Sequence, residues 1–309
     1  MRFSTLLFLF IFSLNSGASE TIKLVVNNWT SQIVLSHVTA ILLEKQGHTV
    51  ELVESSVSDQ WGALSHGAAH IQMEVWEGTM SDKFNRLVKA GRIMDLGLHS
   101  AKTREEWWYP NYVEKMCPGL PDWQALKKCS AIFSKDGKSS GIYIAGPWEK
   151  PDQARIRALE MDFKVEVVSK GDDLWVKLKQ ANEVKAPIVL FNWTPNWVES
   201  RFEGKFIEFP DYSSECEKNP KWGVNPNFIH DCGNPKGGWL KKAAWSGLKE
   251  AWPCATQLIK SIDLNNQQIS HLSALVDVDG LSHKSAAQKW IDNNSTLWKS
   301  WMVNACYHD

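Results

Sequence analysis

The sequence predicts a two-lobed α/β protein, each lobe a mostly parallel sheet flanked by helices. Three observations lead there. Strand and helix patterns alternate from Ile22 to Ala90, and the same alternation recurs from Pro121 to Phe191. Between the two stretches runs Thr103-Arg104-Glu105-Glu106-Trp107-Trp108-Tyr109-Pro110-Asn111-Tyr112-Val113, whose aromatic and β-branched content around Pro110 reads as an extended crossing between lobes. Alternation of this kind implies right-handed crossovers between parallel neighbours, with ligand-facing loops at the carboxyl ends of the strands. The expected division is an export signal over 1–18, lobe I over 19–108 and again over 206–309, and lobe II over 109–205.

Arg2 gives the start of the chain a positive charge, Leu6 to Leu14 is apolar, and Ser16-Gly17-Ala18 forms a small-residue cleavage site. The mature chain is therefore expected to begin near Ser19 in an extracytoplasmic compartment. The apolar run is too short to span a bilayer, and no Cys follows it to carry a lipid.

Ile22 to Val26 reads as the first strand, and Asn27-Asn28-Trp29-Thr30-Ser31 as a loop capping a helix that runs to Gln46 and stops at Gly47. A strand over Thr49 to Val53, a helix over Ser58 to Gly67, a strand over Ile71 to Trp76 and a helix over Thr79 to Ala90 complete the first alternation. The second contains helices over Pro121 to Lys128, Lys150 to Leu159 and Asp172 to Lys179, with strands over Gly141 to Ala145 and Phe163 to Val168. Ile188-Val189-Leu190-Phe191 is an apolar run of buried-strand length that Pro195 terminates. The chain returns to lobe I through Lys205 to Pro210. Asp211 to Gly238 then shifts to Pro, Gly, Asn and acidic residues, the composition of a long loop. Helices are expected from Trp239 to Trp252, Ala255 to Ile262 and Ala286 to Val303. In the last, Trp290, Leu297, Trp298 and Trp301 share one stripe at helical spacing, which marks core packing.

The net charge of -1 over 309 residues, without a basic block, argues against nucleic acid or an anionic membrane as partner. Six cysteines in an exported chain favour disulfides over metal binding or catalysis. Their spacing suggests Cys117 with Cys129, Cys216 with Cys232, and Cys254 with Cys306.

The unusual count is 17 Trp against 5 Tyr. Most of these indoles are expected in the core. The exceptions are those delivered by turns at strand ends: Trp76 after Ile71 to Val75, Trp148 in Gly146-Pro147-Trp148, Trp193 in Asn192-Trp193-Thr194-Pro195-Asn196-Trp197, and Trp29 in the first loop. Here the chain resembles the periplasmic substrate-binding proteins of ABC importers for glycine betaine, choline and related methylated amines. The resemblance covers nearly the whole mature chain, and its most specific part is the segment from Asn192 to Trp197, similar to an aromatic-Trp-Thr-Pro-aromatic-Trp pattern. Glu74-Val75-Trp76 and Gly146-Pro147-Trp148 match two further positions. The resemblance implies the type II periplasmic-binding-protein fold and a box of Trp76, Trp148 and Trp193, with Trp29 added, around a trimethylammonium group. It also implies an inner-membrane ABC permease as partner, a monomer, and no cofactor or enzymatic activity.

The residues suit that chemistry. A trimethylated nitrogen spreads its charge over methyls that donate no strong hydrogen bond, and indole faces offer apolar contact plus a negative quadrupole. Polar contacts are expected at the ligand's other end. There Glu105 stands where some related proteins carry an aromatic. It is read either as a solvated charge or as a pocket group that repels a betaine carboxylate and, protonated, donates to an N-oxide oxygen. Glu149, after Trp148, adds a second negative charge. Both tilt the expected ligand toward trimethylamine N-oxide over glycine betaine, with choline third.

The rival reading is a secreted hydrolase using Ser139, in a G-x-S-x-G match over Gly137 to Gly141, or an acid pair of Glu105 and Glu149. A nucleophile elbow needs a strand before it and a helix after it, whereas here a strand follows. A carbohydrate module with exposed aromatics is a third reading. His66 and His70 lack the intervening Glu of a zinc motif, and Asp277-Val278-Asp279-Gly280 has Leu275 at a calcium-ligand position. Asp211, Glu215, Glu217, Asp231 and Asn234 offer hard oxygens that would suit a structural calcium in the long loop.

Overall fold

A computed structural model describes residues 21–303 and 306; the expected export signal lies outside the described residues. Strands β1 (Ile22–Val26), β2 (Val50–Glu54) and β3 (Ile71–Trp76) pair in parallel, alternating with α1 (Thr30–Lys45), α2 (Gln60–His66) and α3 (Glu77–Lys89). All six residues of β3 are buried, which is why its apolar pattern was continuous apart from Gln72 and Glu74. Val34, Leu35, Val38 and Leu42 of α1 pack against this sheet and are fully buried. No helix among the described residues is long and apolar enough to cross a membrane.

The expected crossing is one long strand, β4 (Ile93–Pro110). Its first part pairs antiparallel with β9 (Gly238–Trp245), which pairs antiparallel with β3 on its other side. From Arg104 onward β4 changes partners and runs antiparallel to β7 (Val189–Thr194) and β8 (Gly204–Phe206). In this second half β5 (Gly141–Ala145) lies parallel between β6 (Phe163–Val167) and β7. The helices α4 (Trp123–Lys128), α5 (Asp152–Ala158) and α6 (Asp172–Val184) accompany these strands. Each half thus has parallel outer strands, and the antiparallel strands β4, β8 and β9 lie where the halves meet. The sheet order is β2-β1-β3-β9-β4-β7-β5-β6, with β8 beside β4.

The stretch from Trp239, expected to be helical, is β9 followed by the short α7 (Leu248–Ala251). Lys, Leu and Ala favour helix, but the slot between β3 and β4 demands a strand, and tertiary pairing outweighs a propensity of a few tenths of a kcal/mol per residue. Gly238, Leu240, Lys242 and Ala244 are the alternating buried positions. A buried Lys242 hid the period of two. Its ammonium donates to the carbonyls of Lys260 and Ile262.

The C-terminal helices are α8 (Pro253–Ser261), α9 (Asn266–Asp277), α10 (His283–Asn293) and α11 (Ser295–Val303). α9 was not anticipated; Asn265 opens it with a capping box to Gln268. The single helix expected from Ala286 breaks at Asn294. Its aromatic stripe is core, with Trp290 and Trp301 stacked 6.0 Å apart. All three disulfides pair as the spacing suggested.

Candidate functional site

Two halves of the molecule contribute opposing walls to one cavity. Trp29 closes the loop after β1 and caps α1, and Trp76 ends β3 and caps α3, so adjacent parallel strands bring both indoles to the same edge. From the second half come Trp193 near the end of β7 and Trp148 in the turn after β5. With Glu105, Phe191, Thr79, Met80 and Val57 they line a hollow of about 330 Å³, part of it open to solvent. All five residues singled out in the sequence for ligand contact, Trp29, Trp76, Glu105, Trp148 and Trp193, border this one space.

Each wall is held rigidly. Glu74 Oε2 accepts hydrogen bonds from Trp29 Nε1 at 2.7 Å, Ser31 Oγ at 3.0 Å and Trp76 Nε1 at 3.1 Å. Glu74 and Trp76 lie two apart on one strand and so share a face. Opposite, the Trp148 and Trp193 rings meet edge to face at 5.2 Å, and Trp175 packs behind Trp193, also at 5.2 Å. Phe191, two residues before Trp193, joins the same face. Trp148 can lie flat against the backbone because Gly146 and Gly171 carry no side chain: a Cβ on Gly146 would fall 2.2 Å from its ring. Its Nε1 donates to Asn28 Oδ1 across the divide at 3.0 Å, a polar link between the two indole walls.

Glu105 sits opposite Trp193 in the β4–β7 register, which directs it to the cavity. It is not solvated: its side chain is 8% exposed, and its Oε1 pairs with the equally buried Lys150 Nζ at 2.7 Å. Thr79 Oγ1 donates to the same oxygen. The second oxygen, Oε2, is buried without a hydrogen-bond partner and lies so close to α3 that a Cβ on Gly78 would come within 2.5 Å. Of the two readings of Glu105, solvated charge or pocket donor, this burial goes against the first, and the carboxyl is engaged by Lys150 and Thr79. Lys150 also stands 5.0 Å above the Phe191 ring.

Other sequence candidates fall elsewhere. Glu149 is exposed and does not line the cavity, so it forms no acid pair with Glu105. Ser139 lies in an exposed turn, its hydroxyl donating to Asp136 Oδ1 at 2.7 Å, which is turn geometry, and a strand instead of a helix follows it. The calcium candidates do not converge. Asp211 pairs with Lys236, Asp231 accepts the Asn225 amide, and Asn234 is committed to the Glu105 carbonyl and to Arg155, while Glu215 and Glu217 lie on the loop surface. Among the described residues no group of three His, Cys, Asp or Glu is placed to hold a metal. Lys150, Phe191, Thr79, Met80 and Glu74 were missed as site residues. A period-of-two reading outward from Trp193 and Trp76 would have found Phe191 and Glu74.

Known proteins resemble this chain in sequence and in fold. The sequence model of the substrate-binding domain of ABC-type glycine betaine transport systems matches residues 20–293. A trimethylamine N-oxide-binding protein of Pelagibacter ubique is 33% identical over 296 residues, covering 92% of this chain and 92% of that protein. Among solved structures, a choline-binding protein of an ABC transporter in complex with choline superposes with a TM-score of 0.73 at 17% identity, covering 92% of this chain and 91% of that one. Lactococcal OpuAC, closed on glycine betaine, gives a TM-score of 0.70 at 17% identity, over 92% of this chain and 99% of that one. At such identities the structures speak for the fold, the mixed α/β architecture of type II periplasmic binding proteins. The family match over nearly the whole described chain decides the assignment: this chain belongs to the substrate-binding domains of ABC-type glycine betaine transport systems.

Proposed function

We propose that the protein is an extracytoplasmic receptor that closes on a small methylated amine and delivers it to an inner-membrane ABC permease. The observation that carries this reading is the convergence of Trp29, Trp76, Trp148 and Trp193 on one cavity that Glu105 and Thr79 also line, Glu105 being paired with Lys150. The indoles take the methylated nitrogen, and the Lys150–Glu105–Thr79 cluster takes the oxygen-bearing end. A desolvated indole face contributes about 2 kcal/mol toward a cation, so three or four faces supply roughly 6 to 8 kcal/mol. Micromolar binding needs about 8 kcal/mol net of closure and immobilisation, so the polar pole has to contribute as well.

Trimethylamine N-oxide is the preferred ligand in this reading, then glycine betaine, then choline. Its single oxygen accepts from a lysine ammonium without the carboxylate that Glu105 would repel, and it is the smallest of the three. The likeness to the Pelagibacter protein points the same way. β4, shared by both halves, serves as the hinge, and closure brings Asn28 to Trp148. Ligand contacts made only in the closed form shift the population toward it, and that form presents the surface the permease reads. The protein acts as a monomer, holds no cofactor and makes no covalent bond to its ligand. Calorimetry with the three ligands tests this reading: trimethylamine N-oxide should bind tightest, and glycine betaine binding a hundredfold tighter would refute the role given to Glu105 and Lys150.

A further inference from the structure

Glu74 is an acid where a strand interior ordinarily holds an apolar residue, as its neighbours Met73 and Val75 do. It is wholly buried, forms no ion pair with Lys or Arg among the described residues, and offers one oxygen to three donors while Oε1 has no hydrogen-bond partner. Such a carboxylate is costly to bury, and its charge is compensated only in part. Two of its three donors are the indoles of the first cavity wall. The backbone beneath is fixed by a buried amide network: Gln72 Oε1 accepts from the Glu74 amide and from Gln32, and Gln72 Nε2 donates to Asn27 and Gln60.

We propose, resting on the ligand reading above, that Glu74 is the positioning residue of the cage: it pins the Trp29 and Trp76 rings and supplies an anion behind them that a bound methylammonium completes. A carboxylate accepting an indole N–H makes a charge-assisted bond, fixing the ring plane and polarising electron density toward its faces. A cation against those faces gains from both effects. A neutral ligand of the same shape gains only from the first.

A pH signature follows. Burial pushes the Glu74 carboxyl up to about 7, and the hydrogen bonds from Trp29, Trp76 and Ser31 offset only part of that rise. A bound cation favours the ionised form, so protons and ligand compete: affinity falls as pH drops below about 7 and levels off above it. Each unit by which the ligand lowers this pKa changes the affinity about tenfold across the titration. The other charged groups near the cage are Glu105 and Lys150, paired with each other, Glu77, which accepts the Trp239 amide, and Asp277, which accepts from Thr30; none of them hydrogen-bonds Glu74. His99 and Lys242, on β4 and β9, are engaged with backbone carbonyls.

The test titrates the full-length mature chain with tetramethylammonium, which neither ionises nor carries an anionic end, and reads indole fluorescence between about pH 5.5 and 8.5. The wild type should gain about threefold or more in affinity up to neutrality and then plateau. Glu74→Gln, which keeps one acceptor oxygen for the indoles, should bind more weakly at pH 8 with a flat profile, and tert-butanol, uncharged, should distinguish the two proteins little. A flat wild-type profile, or the same slope in both proteins, overturns the role of Glu74. The wild-type profile decides alone if near-ultraviolet circular dichroism finds the variant unfolded. If the wild type binds no methylated ammonium at any pH, the cage reading itself has failed, and this proposal falls with it.

Discussion

Removing the Trp148 side chain separates ligand binding from folding better than any other change at the site. The indole is half-buried, rests over Gly146 and Gly171, and forms the cross-divide hydrogen bond to Asn28. Trp148→Ala removes one cation-binding face, about 2 kcal/mol when desolvated, and the hydrogen bond made on closure, about 1 kcal/mol. The sum, about 3 kcal/mol, corresponds to a dissociation constant raised about a hundredfold. Trp148→Phe keeps a smaller face and loses only the donor, so about tenfold is expected. Isothermal calorimetry with trimethylamine N-oxide reads both, while thermal unfolding without ligand should move by less than about 5 °C. An Ala variant within about threefold of the wild type would refute the reasoning, as would a Phe variant as weak as Ala.

Two further outcomes concern stability. Lys150→Met leaves Glu105 buried beside Thr79 without its counter-ion, and should lower the unfolding free energy by about 3 kcal/mol in urea titrations, with Glu105→Gln in the same chain restoring much of it. His99 is buried, accepts the Leu264 amide and donates to the Met73 carbonyl, and burial first, then Lys242, lowers its pKa from 6.5 to about 3. The unfolded chain therefore binds a proton that the native chain refuses between those values. The stability that neutral His99 contributes is present above about 6.5 and is lost as pH falls toward 3. His99→Gln should flatten that acid limb in denaturant titrations; an unchanged slope would assign it elsewhere.

The parts of the fold legible in the sequence were those whose burial is uniform. β3 stands within the bounds the apolar pattern set, since a run covered on both faces carries its own ends. β9 was illegible because its buried face includes Lys242, a residue that pattern reading assigns to solvent, and because its partners β3 and β4 lie far away in the chain. The indoles of the site could be located because turns following strands deliver them to one edge. Lys150 could not: it reaches Glu105 only once β5, α5 and β4 are assembled, and nothing local marks a lysine as half of a buried pair. The break at Asn294 was masked by an aromatic stripe whose spacing continues across both helices.

A crystal structure of the protein grown with trimethylamine N-oxide tests the central claim most directly. The account predicts the three methyl groups in van der Waals contact with the faces of Trp29, Trp76, Trp148 and Trp193, and the oxygen directed to the Lys150 ammonium. Density for the ligand outside this hollow, or methyl groups turned away from the indoles, would contradict it.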